Sequence, residues 1–140
     1  MKAWLITACA ATLMLFSAPA WVHHSYAMFD TSRKVSVSGT ITEFHWTNPH
    51  ASFKVSALTP TGASEVWAVE MGSPNNLVRE GWKRTTLKPG DKVTVTMTPL
   101  RDGSPGGSYL GIMLADGKSL GKPQSGSAQP ASAQSAAPAR

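Results

Sequence analysis

The stretch "KVSVSGTITEFHW", residues 34–46, decides the fold. Small or apolar side chains alternate with Ser and Thr up to Ile41, which is the two-residue period of a strand with one buried face. The apolar set then changes parity, because Phe44 and Trp46 are out of phase with Ile41. A shift of one residue within a strand is typical of a β-bulge or sharp bend, and Gly39 lies nearby. The stretch therefore predicts a long and strongly curved first strand.

Four more segments have the pattern of β-strands. The second strand follows the turn "TNP", and the third, "SEVWAVEM", is apolar on both faces from Val66 to Val69, which predicts a central strand. The segments "KVTVTMT" and "SYLGIML" are predicted as the fourth and fifth strands. In the fourth strand, Val93, Val95 and Met97 are expected to point inward.

A short helix is predicted between the third and fourth strands. Ser73 is placed to cap its N-terminus, Pro74 suits its first position, and Gly81 can end it. Leu77 and Val78 are expected on its buried side. Three strands, a helix and two strands, with a bent first strand, predict an all-β, OB-like barrel of five strands. An open sandwich of similar size is the alternative.

The two ends of the chain differ in composition from its centre. Residues 1–20 have a basic start, an uncharged apolar run and a small-residue site that ends at Ala20, which is the order of a secretory signal peptide. Residues 121–140 lack large apolar side chains, so they cannot offset the entropy of ordering and are predicted to be a disordered tail. We expect one OB-like domain over residues 21–120, in the periplasm or secreted, with no transmembrane span in the mature chain.

Composition excludes several classes of function. Cys9 is the only cysteine and lies in the predicted signal peptide, so the mature domain has no disulfide, zinc thiolate or thiol nucleophile. Loss of Lys2 reduces the formal net charge from +5 to +4. The basic residues are scattered, which argues against a nucleic-acid partner. No Ser-His-Asp order, nucleophile elbow or carboxylate pair at fixed spacing is present, so no catalytic residue is assigned and an enzyme is not expected.

The candidate metal ligands are the histidines His23, His24, His45 and His50. Cleavage after Ala20 places His23 third from a free amine, where the amine, two backbone amides and the imidazole can supply the four in-plane nitrogens that Cu(II) prefers. His45 and His50 bracket the turn "WTNP" and are candidates to meet at the end of a hairpin. The alternative is a polar leader at His23 and His24, and hydrogen-bonded turn residues at His45 and His50.

Methionine and tryptophan have both structural and functional interpretations here. The candidate soft donors for copper are Met28, Met71, Met97 and Met113. Of these, Met97 and Met113 follow the alternation of core residues and are expected to fill space. Trp46, Trp67 and Trp82 can line a stacking groove, but tryptophan is a large core residue in a small domain, and we favour that interpretation.

Several motifs in order resemble a family of small exported bacterial proteins catalogued as a domain of unknown function. These motifs are HHS near the mature start, WTNPH, GSPN and LKPGD, and the resemblance spans residues 23–120. It implies a periplasmic or secreted protein and supplies no catalytic residues. The sequence as a whole predicts an exported, non-enzymatic module that binds a small ligand, a metal ion such as copper, or an envelope partner. The alternatives are a metal-dependent enzyme that uses the histidines, and a structural or assembly module with an exposed apolar patch or strand edge.

Overall fold

The computed structural model describes residues 26–122, so the predicted signal peptide, His23, His24 and most of the predicted tail lie outside the described residues. A 3-10 helix spans Tyr26–Met28, and the α-helix, α1, spans Pro74–Arg79. The strands are β1 (Val35–His45), β2 (Ser52–Leu58), β3 (Ser64–Glu70), β4 (Lys92–Pro99), β5 (Gly106–Leu114) and β6 (Ser119–Gly121).

The strands form one sheet that closes into a barrel. Their order is β3-β2-β1-β4-β5-β6, and neighbours in this order are antiparallel. A parallel pairing of β3 with β5 joins the two sides of the sheet. The predicted five-stranded OB-like barrel, with one short helix between β3 and β4, is confirmed. The short β6 is an addition, and it pairs with the C-terminal half of β5.

β1 pairs with strands on both sides of it, and it bends between the two pairings. Its first half pairs with β4 and its second half with β2, and the register with β2 shifts between Ile41 and Glu43. The predicted bulge is therefore confirmed. Gly39 lies where β1 exchanges partners, and a Cβ there would meet the carbonyl oxygen of Ser56 and lie 2.7 Å from Val55 Cγ1. The close approach of two strands, more than a hinge, accounts for glycine at this position.

Inward-facing side chains from five strands fill the barrel. The apolar residues with exposures of 0–1 % are Ile41, Phe53, Val55, Val69, Trp82, Val95, Met97 and Ile112, with Ala51. Val93, Val95 and Met97 point inward as predicted. β3 lies between β2 and β5, as predicted for a central strand, but its outer face is not covered, because Val66 is 48 % exposed. Barrel closure gives β3 a neighbour on each side but no second layer over its outer face.

Capping hydrogen bonds define both ends of α1. The Ser73 side chain accepts a hydrogen bond from the Asn76 amide, and Pro74 occupies the first turn, both as predicted. At the other end, the amide of Gly81 donates to the carbonyl of Val78 and the amide of Trp82 donates to that of Leu77, both at 3.0 Å. This is a Schellman motif, and Gly81 supplies its left-handed residue with φ +91°.

Only one side of this short helix faces the barrel. Leu77 is 2 % exposed, whereas Val78 is 59 % exposed, so the expectation that Val78 is buried is wrong. Successive residues of a helix point about 100° apart, and a helix of this length presents one of the two to the core.

The expectation that Met113 fills space in the core is also wrong. Ile112 points inward from β5, and its neighbour Met113 is 40 % exposed.

Aromatic rings pack around Trp82, which follows α1 in the chain. Trp82 is 1 % exposed, and its ring centroid lies 6.2 Å from Phe44 and 5.4 Å from Tyr109. Trp82 Nε1 donates to the Tyr109 hydroxyl at 3.3 Å, and burial raises the pKa of Tyr109 above its ordinary value. Trp67 is also buried, and Trp46 is half-buried against Phe44. The core interpretation of the tryptophans is therefore confirmed for Trp67 and Trp82.

Candidate functional site

A groove on the outer face of the barrel gathers most of the polar side chains described below, and we call it the histidine groove. It has a volume of about 280 Å³ and is lined by the last residue of β1, by parts of β2 and β3, and by Leu100 at the start of the loop that joins β4 to β5. The residues that define it are Met28, Phe29, Leu100, His45, Lys54 and Glu70.

Strand register places these polar side chains on one face. Phe53 and Val69 point into the barrel, so the residues on either side of them in β2 and β3 point outward. His45, Ser52 and Glu70 are paired in turn across β1, β2 and β3. Because neighbouring strands are about 4.8 Å apart, the backbones at His45 and Glu70 are about 10 Å apart, within reach of one bound ligand.

His45 forms part of a charged triplet at the end of β1. Its Nε2 atom lies 3.0 Å from Glu43 Oε2, and Lys54 Nζ donates to Glu43 Oε1 at 3.1 Å. The hydrogen bonds from His45 and then Lys54 lower the pKa of Glu43 below its ordinary value. The bulge makes this triplet, because it brings Glu43 opposite Lys54 on the outer face. Within residues 26–122, His45 Nδ1 has no hydrogen-bond partner.

His50 contacts a second glutamate at the same end of the sheet. Its Nδ1 atom lies 2.8 Å from Glu70 Oε1, and the Nε2 atom has no partner among the described residues. A histidine that binds a metal commonly donates its other ring N–H to a carboxylate in this way. His50 is 54 % exposed at its side chain, so Nε2 is accessible to a ligand from solvent.

The two described candidate histidines lie near one groove but do not bond to each other. Each contacts its own glutamate, and no group of three or more His, Cys, Asp or Glu side chains comes together in the part of the chain that the structure describes. The glutamates Glu43 and Glu70 were not predicted as site residues. Their outward parity was visible in the sequence, but their histidine partners depend on strand register and on the bulge.

Met28 is the candidate methionine that lines this groove, whereas Met71 and Met97 are buried in the core. Loop contacts hold the segment that carries it. Arg101 donates from its backbone amide to the carbonyl of Met28 and from Nε to the carbonyl of Ala27, both at 2.9 Å. Phe29 forms a β-bridge with Leu100. The start of the described chain is therefore fixed beside the groove.

Comparisons with known proteins give the family and several solved structures with partial similarity. Among solved structures, the mitochondrial single-stranded DNA-binding protein Rim1 from S. cerevisiae is 14 % identical, with a TM-score of 0.46 over 59 % of this chain and 93 % of that chain. A ZRD-deleted mutant of TiaS, solved in complex with agmatine, is 18 % identical, with a TM-score of 0.41 over 72 % of this chain and 25 % of that chain. No curated protein matches the sequence.

No helix within residues 26–122 is long and apolar enough to cross a membrane. The resemblance found in the motifs of the sequence is confirmed by a family model, which matches residues 10–109. That range is more than half of the chain, and the protein therefore belongs to the family of unknown function DUF6152.

Proposed function

We propose that the protein is an exported, non-enzymatic binding module that holds a metal ion, copper foremost, in the histidine groove. The observation that carries this proposal is the pair of histidine–glutamate contacts, His45 with Glu43 and His50 with Glu70, at one end of the outer face. The groove is lined by residues of β2 and β3 and by Leu100 of the β4–β5 loop, which belong to the surface with which OB barrels bind their ligands. The signal-peptide pattern in residues 1–20 supports export.

The donor atoms suit copper. His45 Nδ1 and His50 Nε2 are the imidazole nitrogens without a partner in residues 26–122, and Met28 adds a thioether beside them. Imidazole serves both oxidation states of copper, and thioether favours Cu(I). The two glutamates contact the opposite ring nitrogens, which fixes the orientation of the imidazoles.

The described residues supply fewer metal ligands than a complete copper site requires. We assign the remaining ligands to His23 and His24. His24 precedes Met28 by four residues, so its Cα lies within about 14 Å of that of Met28 even in a fully extended chain. Met28 is held beside the groove by Arg101, so this short connection supports the assignment of His23 and His24 to the same ion.

The charges of the groove support a cation over a nucleic acid. Glu70 lines the groove and Glu43 contacts its lining residue His45, whereas the lysine of the lining, Lys54, is already paired with Glu43. A groove for single-stranded nucleic acid combines a positive track with exposed aromatic rings. The aromatic residues that line this groove, Phe29 and Phe53, are 5 % and 1 % exposed and are therefore not available for stacking.

The test is a copper titration of the processed protein, with competition against a chelator of known affinity. We expect the protein to bind one equivalent of Cu(II) tightly. The affinity should decrease as the pH falls, since protons compete for the imidazoles. Glu70→Gln should weaken binding about 10- to 100-fold, the usual effect of removing a carboxylate that supports a ligand. Glu65→Gln, in the same strand but outside the groove, is the matched control.

The variants separate the groove from a purely terminal site. Equal affinity in Glu70→Gln and Glu65→Gln would contradict a role for the groove. Loss of binding in His23→Ala alone, with His45→Ala and His50→Ala unaffected, would place copper at the free amine and remove the groove from the function. Intact mass of the exported protein identifies the first residue and so shows which nitrogen atoms the terminus offers.

A further inference from the structure

A second and larger groove, which we call the hydroxyl groove, lies at the opposite end of β1, β2 and β5. Its volume is about 510 Å³, within the range of small-molecule sites. It is separate from the histidine groove and shares no lining residue with it. The residues used below are Ser38, Ser56, Leu58, Lys92, Thr94 and Met113.

Exposed apolar side chains border this groove. Leu58 is 77 % exposed and Met113 is 40 % exposed, and both belong to the small set of large hydrophobic residues that residues 26–122 leave in solvent. Scattered exposed hydrophobic residues need no explanation, but two on the border of one concave surface mark a place where apolar ligand surface can be buried. Val93 and Leu114 extend the apolar lining between them.

The polar lining is neutral apart from one cation. Ser38 Oγ and Thr94 Oγ1 are 2.8 Å apart and bond to each other, and Ser56 bonds to Ser64. Of the described residues that line the groove, Lys92 alone carries a charge, and no described residue forms an ion pair with it. The groove therefore combines apolar surface, hydroxyl groups and a single unpaired ammonium group.

We propose that the hydroxyl groove binds an anionic amphiphile, a carboxylate with a single aliphatic chain. The carboxylate lies at Lys92, which is exposed and has no acidic competitor in the groove. The chain lies along Leu58 and Met113, where burial of methylene groups drives binding. The hydroxyl pair of Ser38 and Thr94 can turn toward the carboxylate and donate to it.

The test uses decanoate below its micellar concentration and the full processed protein, followed by amide chemical shifts in NMR. We expect shifts at Thr40, Ser56 and Ala115, which line the groove, and a saturable isotherm. Lengthening the probe from octanoate to decanoate should raise the affinity up to about tenfold, because each buried methylene adds a constant increment. Decyltrimethylammonium, which has the same chain and the opposite charge, should bind more weakly than decanoate because Lys92 repels it.

Two pairs of variants locate the head and the chain. Lys92→Gln should weaken decanoate binding about two- to fivefold, as expected for a solvent-exposed charge pair, whereas Lys88→Gln, an exposed lysine outside the groove, should leave it unchanged. Leu58→Ser should weaken it and remove most of the dependence on chain length. Leu58 is largely exposed, so this substitution does not disturb the core.

Each alternative outcome overturns the proposal. Equal binding of decanoate and decyltrimethylammonium, or of wild type and Lys92→Gln, would mean non-specific adsorption of a detergent. Equal affinity for acetate and decanoate would mean an anion site without an apolar part. Shifts with anionic phospholipid vesicles and none with decanoate would mean a membrane-facing surface. Copper binding is measured on other residues, so its failure and the failure of this proposal are distinguishable.

Discussion

Replacement of Gly39 by alanine tests the bent strand on which the barrel depends. The added Cβ would meet the carbonyl oxygen of Ser56 and would lie 2.7 Å from Val55 Cγ1 and 2.9 Å from the carbonyl carbon of Ser56. Carbon atoms in contact normally lie about 3.5–4.0 Å apart, so β1 and β2 must separate by roughly 1 Å or more. Two of these obstacles are backbone atoms, which cannot move away by changing a rotamer.

The expected cost follows from this overlap. Insertion of one carbon into a closely packed region typically destabilises a protein by about 1–3 kcal/mol, and the backbone contacts place Gly39→Ala at about 2–3 kcal/mol. A domain of this size loses about 4–8 °C in its thermal midpoint per kcal/mol, which gives a decrease of about 10–20 °C. Gly72→Ala is the matched control, because a Cβ there has no heavy atom within 4 Å and its φ is not positive.

The assay is thermal unfolding followed by far-ultraviolet circular dichroism, with a urea titration at 25 °C to give the free energy of unfolding. Gly72→Ala should match or slightly exceed the wild type, since alanine restricts the unfolded chain. A midpoint for Gly39→Ala within two or three degrees of Gly72→Ala would refute the close crossing of β1 and β2.

Three further predictions concern the helix, the pH dependence of stability and the C-terminal segment. Leu77→Ala should lower the free energy of unfolding by about 2–5 kcal/mol. Val78→Ala, on the exposed side of α1, should lower it by less than about 0.5 kcal/mol. Equal losses for the two variants in urea titrations would contradict the orientation of the helix. The lowered pKa of Glu43 means that its contribution to stability is present above its ordinary value of 4.5 and is lost as the pH falls through the folded value, so the fall in urea midpoint from pH 7 to pH 3 should be smaller in Glu43→Gln than in wild type. Removal of the residues after Lys122 should leave the thermal midpoint nearly unchanged, because the composition of that segment predicts disorder; a large decrease would show that it docks on the barrel.

The fold was accessible from sequence because several local patterns agree. The parity change before Phe44 located the bulge, and the cap residues Ser73 and Gly81 located both ends of α1. Alternation also placed the inward residues of β4 correctly. The prediction was wrong for Val78 and Met113, each of which has an apolar neighbour, Leu77 or Ile112, that is buried instead. Sequence periodicity shows that an element has an apolar face, but it does not show which of two adjacent apolar residues points into the core.

The candidate site was harder to predict from sequence, because its contacts join residues on different strands. His45 and His50 were identified by residue type alone, but their partners Glu43 and Glu70 could not be assigned without the register of β1 to β2 and of β2 to β3. The approach of Met28 to the groove depends on Arg101, which is far away in sequence. The same limit hid the hydroxyl groove, whose lining comes from four strands.

The bend in β1 has a consequence for function as well as for folding. Beyond the bulge, His45 lines the histidine groove and contacts Glu43, and before it, Ser38 and Thr40 line the hydroxyl groove. One strand therefore contributes ionisable side chains to the outer face at one end and hydroxyl groups to a groove at the other. A barrel with a straight first strand would turn Glu43 and His45 to the opposite face, because a shift of one residue inverts side-chain orientation. The parity change is thus the feature of the sequence that places carboxylate and imidazole together outside the core.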